Sequence, residues 1–388
     1  MSDTPIHDFL IIGAGIAGAS LAYRLRGRGS VLVVDMESQP GYHTSGRSAA
    51  MFMETYGTPA IQALTRASRH FYEHPPQGFC DHPLLTERGV LYIAREGQQQ
   101  LLEQTHKALT AAGAPIQKLS PAEVLARVPC IREAGLVGAI AEPQAMDVDA
   151  HAVLQGYVKG ARAAGVQFLF NAGLMRAERH DGIWQASLAN GQTVRARAAV
   201  NAAGAWADQM AGLFGVAPVD LTPKRRSAFT FKPPETVSAA ELARWPAVVG
   251  IDESFYFKPD AGQLLGSPAN ADPVAPHDVV AEELDVALGI DRIETATTLA
   301  IRRPTHTWAG LRSFVADGDF VIGWDPQVSG FFWLAGQGGY GIQSSPGASL
   351  LAANLLLEDP LDASLRQWRV DPRAVSPARF HTTRGLPR

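Results

Sequence analysis

The chain has 388 residues, 46% hydrophobic and 19% charged, enough apolar material for two compact domains and too much for a disordered chain. With 34 basic against 38 acidic residues the formal charge is −4, so no broad electropositive surface exists to neutralise a nucleic-acid backbone, and an anionic small molecule needs a local basic pocket. The only cysteines, Cys80 and Cys130, lack metal-ligand spacing, which argues against a disulfide framework or a structural zinc site and points to a reducing, cytoplasmic setting.

The longest apolar stretch, Phe9 to Ala22, is too short and too glycine-interrupted for a transmembrane segment. Asp3 and Asp8 precede it where a secretory leader carries basic residues. Peripheral attachment to an inner membrane stays open. The stretch reads as strand, turn and helix, and SVLVVD after it as a second strand, so the chain opens on a parallel βαβ unit. From Asp147, DVDAHAVLQGYVKGARAAGVQFLF gives a helix followed by a strand. WQASLANGQTVRARAAVNAAG then gives a hairpin turning at Asn190-Gly191 and a buried strand that ends at a glycine. Between Val216 and Ala300, SAFTF and SFYFKP alternate as antiparallel strands do. FVIGW and GFFWLAGQGGYGIQ return to strand, glycine-rich loop and helix.

These elements predict an α/β fold, α+β overall, with a Rossmann-like dinucleotide domain assembled from residues 1–85, 140–215 and 301–388. An antiparallel-sheet substrate domain is expected from residues 86–139 and 216–300. No internal repeat stands out.

Gly13, Gly15 and Gly18 sit between an apolar strand and a helix that begins near Ile16 and Ala17, the context in which G-x-G-x-x-G is informative. Gly13 permits the tight turn, Gly15 lets the backbone approach a pyrophosphate, and Gly18 lets helix and strand pack closely. Asp35, followed by Met36, ends the second strand where an acid accepts hydrogen bonds from a ribose diol and disfavours a 2′-phosphate. Plain turn glycines and a solvated strand end would each explain a piece of this, but not the whole assembly. A second glycine loop, Gly336 to Gly341, precedes the C-terminal helix and suggests another anchor for an extended cofactor, which favours FAD over NAD.

The segments GAGIAGAS, PGYHTSGRSAA, YGTP, NAAGAW, PKRRSAF, DESFYFKPDAG, GSPANADP, TWAGLRSFVADGD and GGYGIQ, in this order through nearly the whole chain, resemble the D-amino-acid oxidase and sarcosine oxidase group of flavoproteins. Within that group they are most similar to the D-arginine dehydrogenases. The resemblance implies oxidation of an amino acid's Cα–N bond by hydride transfer to flavin N5, then hydrolysis of the imine to a 2-oxo acid and ammonia. It places His43, Thr44, Gly46, Arg47, Ser48 and Ala49 along the flavin, Ala202, Gly204 and Trp206 on its far side, and Gly338, Gly339, Tyr340, Gly341 and Ile342 near its pyrimidine end. No cysteine lies in these loops, so the FAD is expected to be non-covalent.

By the same resemblance Arg312 grips the substrate carboxylate, Tyr56 and Tyr256 lie over the flavin as catalytic-site tyrosines, and Arg226, Gly310 and Gln343 are further substrate-binding candidates. A planar guanidinium suits a carboxylate because it offers two parallel donors. The arginine-preferring members carry an acid and a histidine where this chain has Val90 and Met51. Those changes predict an apolar or broad side-chain preference, with the direction of Glu54 open. The partners expected are an amino-acid substrate and an electron acceptor that the sequence does not identify. A secondary-amine or glycine oxidase and a 2-hydroxy-acid flavoenzyme are the competing activities, and oxidase against dehydrogenase is not decided by sequence.

Overall fold

Strands Ile6–Ile12 and Val31–Val34 pair in parallel, from Phe9 opposite Val31 to Ile12 opposite Val34. The structure, a computed structural model, describes residues 5–380; Asp3 and the outer ends of the expected domain segments, 1–4 and 381–388, lie outside them. Side chains of the two strands feed two cores in alternation. Phe9, Ile11, Val31 and Val33 pack with the helices, while Leu10, Ile12, Leu32 and Val34 pack with Trp184, Phe214 and Trp333 on the opposite face. Burial on both faces is why these strands read as unbroken apolar runs.

Gln167–Leu169 extends the ladder beyond Val31–Val34, and Thr193–Asn201 flanks Ile6–Ile12, both in parallel. The first half of Thr193–Asn201 takes the antiparallel strand Ile183–Leu188, joined through a hairpin with Gly191 at φ +82°. Its end takes Phe331–Ala335 in parallel, and this strand carries Val321–Trp324. Helices Ile16–Leu25, Ala150–Ala163 and Gly341–Leu356 cover one face of the sheet. The last helix contains Pro346, which has no N–H for the carbonyl of Ile342. The Tyr72 hydroxyl, from helix Pro59–Glu73, donates to that carbonyl instead.

A nine-stranded sheet forms the second layer. It is antiparallel except where Ala247–Gly250 runs alongside Val90–Arg95. Helices Pro121–Arg127 and Glu283–Ala296 close one face over Phe229, Phe231 and Trp245. Two strands depart from the expected segments. His306–Phe314 pairs with Thr222–Phe231 along its length, so the segment expected to begin the last dinucleotide piece at 301 starts inside this sheet. Leu136–Glu142 also belongs here and crosses the expected boundary at 140. Strand pairing of this kind is fixed by partners far along the chain, which local pattern does not encode. A small third sheet of Met51–Phe52, Met146–Val148 and Leu85–Glu87 completes the strands. Among the described residues no helix is long and apolar enough to cross a membrane.

Candidate active site

The site begins at the first glycine turn. Gly13 adopts φ +104°, and a Cβ there would lie 2.4 Å from the carbonyl oxygen of Ala202; a Cβ on Gly18 would lie 1.9 Å from the Gly13 carbonyl oxygen. Gly18 is thus a packing residue, as its place in the motif implies, while Gly15, Ile16 and Ala17 line the cavity. Asp35 faces the same cavity with Met36. Its carboxylate accepts the N–H groups of Ala14 and Glu37, and burial pushes its pKa up against those bonds. A carboxylate has lone pairs left for a ribose diol after two such bonds.

From Asp35 three chambers follow one another, each sharing wall residues with the next. The first runs past His43, Thr44, Gly204 and Trp206 to Gly15 and Ser45. The second shares Gly15, Thr44, Ser45 and Ala202 and passes Arg47, Ser48 and Ala49 to the loop of Gly338, Gly339 and Gly341, with Ile342 behind it. The third shares Ser48, Ala49, Arg226, Tyr256, Arg312, Gly339 and Ile342, and ends on Met51, Met53, Tyr92 and Val249. Gly46 lines none of them. Its N–H bonds to the Gly41 carbonyl at 2.9 Å and shapes the loop. Tyr340 also stays out of the walls; its ring meets that of Tyr56 edge-on, with centroids 4.8 Å apart. Ser45, within the loop from His43 to Ala50 expected to line the flavin, accepts the Ile16 N–H at the helix start, 2.9 Å away.

The two guanidinia at the junction of the second and third chambers come from neighbouring antiparallel strands. Arg226 pairs with Gly310 and Lys224 with Arg312, so the two arginines are diagonal neighbours on one face of the sheet. Arg225, between them in sequence, faces away to Asp285 and Glu282. Arg312 Nη1 donates to the Tyr56 hydroxyl at 3.2 Å. Its guanidinium lies so close under Gly339 that a Cβ there would be 3.0 Å from Cζ and would press on the guanidinium. Burial pushes Arg312 down, but Tyr56 and Tyr256 hold its pKa above the usual arginine value. Arg226 is pushed down to about 10, first by burial and then by Arg312. Its Nε is buried without a hydrogen-bond partner, and neither guanidinium has a carboxylate within ion-pair distance among the described residues. Two guanidinia without carboxylate partners thus line one cavity, an arrangement that is costly unless an anion joins it.

Three expectations change. Val90 does not line the third chamber; it is buried beneath Met53, Ala145 and Ala247, and Tyr92, two residues on along the same face, takes the wall position. Gly310 lies beside Arg47 and Thr44 on the second chamber and not among the walls of the third. Glu54 turns out of the cavity to Arg69, 2.6 Å away, so it does not replace a missing acid. Gln343 lines the third chamber, but its amide is held by Met53 and Thr65. Glu253, at φ +56°, and Lys258, paired with Asp147 at 2.7 Å, are wall residues that sequence reasoning did not single out.

Residues 8–355 match the family model described as FAD dependent oxidoreductase. FAD-dependent oxidoreductase domain-containing protein 1 of Mus musculus is 24% identical, over 90% of this chain and 81% of that protein. A D-amino acid dehydrogenase of Bradyrhizobium diazoefficiens is 25% identical, over 89% of this chain and 94% of that one. The crystal structure of glycine oxidase from Geobacillus kaustophilus superposes with a TM-score of 0.81 at 22% identity, covering 99% of this chain and all of that one. An extended cavity that starts at a glycine turn beside Asp35 and ends at two guanidinia has room for a long dinucleotide, and the chain belongs to the FAD-dependent oxidoreductase family.

Proposed function

We propose that the protein is a D-amino-acid dehydrogenase that converts its substrate to a 2-oxo acid and ammonia, with an apolar or broad side-chain preference. The observation that carries this reading is the pair of guanidinia without carboxylate partners at the mouth of an apolar chamber. Arg312 and Arg226 fix the substrate carboxylate, and the Tyr56 hydroxyl, already on Arg312, shares it. Tyr256 closes the other side of the junction. Gly15, Asp35, Ser48 and the Gly338–Gly341 loop would hold FAD, which would supply the hydride acceptor. Anchoring the carboxylate at one end and the side chain at the other presents Cα in a single orientation, the positional part of the rate enhancement. The amine leaves one proton to solvent, Cα loses a hydride, and water adds to the released imine to give oxo acid and ammonia.

Support for the side-chain preference comes from Met51, Met53, Ala247 and Val249 on the third chamber and from Glu54 being neutralised by Arg69. A carboxylate grip alone does not distinguish an amine from a hydroxyl at Cα, so the test includes both. Anaerobic mixing of the purified yellow protein with D- and L-amino acids, sarcosine, glycine and 2-hydroxy acids is followed by bleaching of the oxidised flavin band. Apolar D-amino acids are expected to bleach it rapidly and their L-enantiomers slowly. Faster bleaching by D-arginine and D-lysine, or by 2-hydroxy acids alone, would overturn the substrate assignment. Slow reoxidation of the bleached protein in air, against rapid reoxidation by a quinone dye, is the result expected of a dehydrogenase.

A further inference from the structure

The end wall of the third chamber is a row across three strands. Tyr92 sits beside Val249 in parallel register, and Val249 sits opposite Tyr256. The Tyr92 hydroxyl joins a buried relay: it lies 3.4 Å from Thr55 Oγ1, and Thr55 in turn donates to the carboxylate of Glu142. Glu142 is 1% exposed and also accepts the Glu54 N–H at 2.7 Å. A hydroxyl has one proton. Thr55 spends its own on Glu142, so toward Tyr92 it can act only as an acceptor, and the phenolic proton of Tyr92 is directed away from the cavity. Tyr92 lines the chamber, and no described residue donates to its oxygen.

We propose that Tyr92 is a specificity-determining residue that presents a hydrogen-bond acceptor at the far end of the side-chain chamber, beside Met51, Met53 and Val249. The site then selects D-amino acids whose side chain ends in a neutral N–H donor. This rests on the D-amino-acid reading above. Other polar wall groups do not duplicate the role. Lys258 is committed to Asp147, which also binds Arg88 at 2.7 Å, and Arg226 stands at the carboxylate end. Glu253 lines the same chamber but is solvent-exposed, so its acceptor oxygens are already hydrated. Tyr92 acts as the donor in its Thr55 contact, so that contact takes none of its oxygen's acceptor capacity.

The test compares substrates of one shape. D-Tryptophan and 3-benzothienyl-D-alanine differ in a ring N–H against sulfur, and 4-pyridyl-D-alanine and D-phenylalanine in an acceptor nitrogen against C–H. In the wild type D-tryptophan should exceed its sulfur analogue in kcat/KM by roughly five- to tenfold, the size of one net hydrogen bond, and the pyridyl compound should gain nothing over D-phenylalanine. Tyr92→Phe should bring the first ratio close to one, and Thr55→Val, which frees the phenolic proton, should lower it and raise the second. Ratios within one variant cancel general damage to the fold. Equal turnover of the first pair in the wild type, a ratio that survives Tyr92→Phe, or a preference for the pyridyl compound would each overturn the proposal. Indole-3-acetate against benzothiophene-3-acetate, titrated by the shift of the flavin band, reads the same wall without turnover. Should no D-amino acid bleach the flavin, this binding pair still decides the role of Tyr92 separately.

Discussion

Arg312 and Arg226 face one cavity because a diagonal step on an antiparallel pair keeps both side chains on the same side of the sheet. What distinguishes them is their company. Arg312 has Tyr56 and the open backbone of Gly339 against it, whereas Arg226 has an unpartnered Nε and the charge of its neighbour. Arg312→Lys keeps a charge but loses the planar fork; KM for D-methionine should rise by at least tenfold, and full truncation should cost about 2–5 kcal/mol of carboxylate binding. An unchanged KM in steady-state kinetics would remove Arg312 from the carboxylate site. Arg226 gives a pH signature. Its free guanidinium loses its proton near 10, and a bound anion favours the charged form, so carboxylate affinity should hold below that value and fall as pH rises through it. Titrating a non-reacting carboxylate between pH 8 and 11 checks this, with Arg226→Met as the control in which the fall due to Arg226 disappears. A wild-type profile identical to that of the variant would rule the assignment out.

Helix Gly341–Leu356 runs directly from the glycine loop that approaches Arg312, so its placement sets that loop. Pro346 interrupts its hydrogen-bond ladder in the first turns, and Tyr72 supplies the missing donor from a neighbouring helix. Tyr72→Phe should therefore destabilise the protein by about 1–3 kcal/mol, because it strands a buried carbonyl. In a Pro346→Ala background the backbone N–H gained at that position reaches the Ile342 carbonyl, and the same change should cost markedly less. Urea denaturation of the four proteins of this cycle measures the coupling; equal costs in both backgrounds would show that Tyr72 acts through packing alone.

The two sheets are joined through the loop that carries Thr44 and Arg47. Thr44 donates to the Leu311 carbonyl at 2.6 Å, Arg47 to those of Val279 and Ala309, and Trp308 Nε1 back to the Arg47 carbonyl at 3.0 Å. A ligand that orders this loop orders both layers. Stripping FAD should lower the melting temperature by on the order of 5 °C, and adding it back at about a hundred times its Kd should restore about 2.7 kcal/mol in a single transition. Differential scanning calorimetry that showed two transitions, only one of them responding to FAD, would mean that the layers unfold independently.

Much of this architecture is legible in the chain. The doubly covered parallel strands declare themselves as apolar runs, and the Gly13 and Gly18 contacts as motif glycines. Such features are local: they depend on backbone conformation or on the two-residue period of a strand. What the tertiary structure alone decided is which of two same-face residues meets the cavity. Val90 and Tyr92 are equivalent by period, and Met53 with Ala145 covers the first while leaving the second open. The direction of Glu54 was decided by Arg69 on helix Pro59–Glu73, and the allegiance of His306–Phe314 by a strand some eighty residues earlier at about the usual 4.8 Å spacing. Sequence period fixes the face a side chain takes; only chain segments brought from far away determine what lies in front of it.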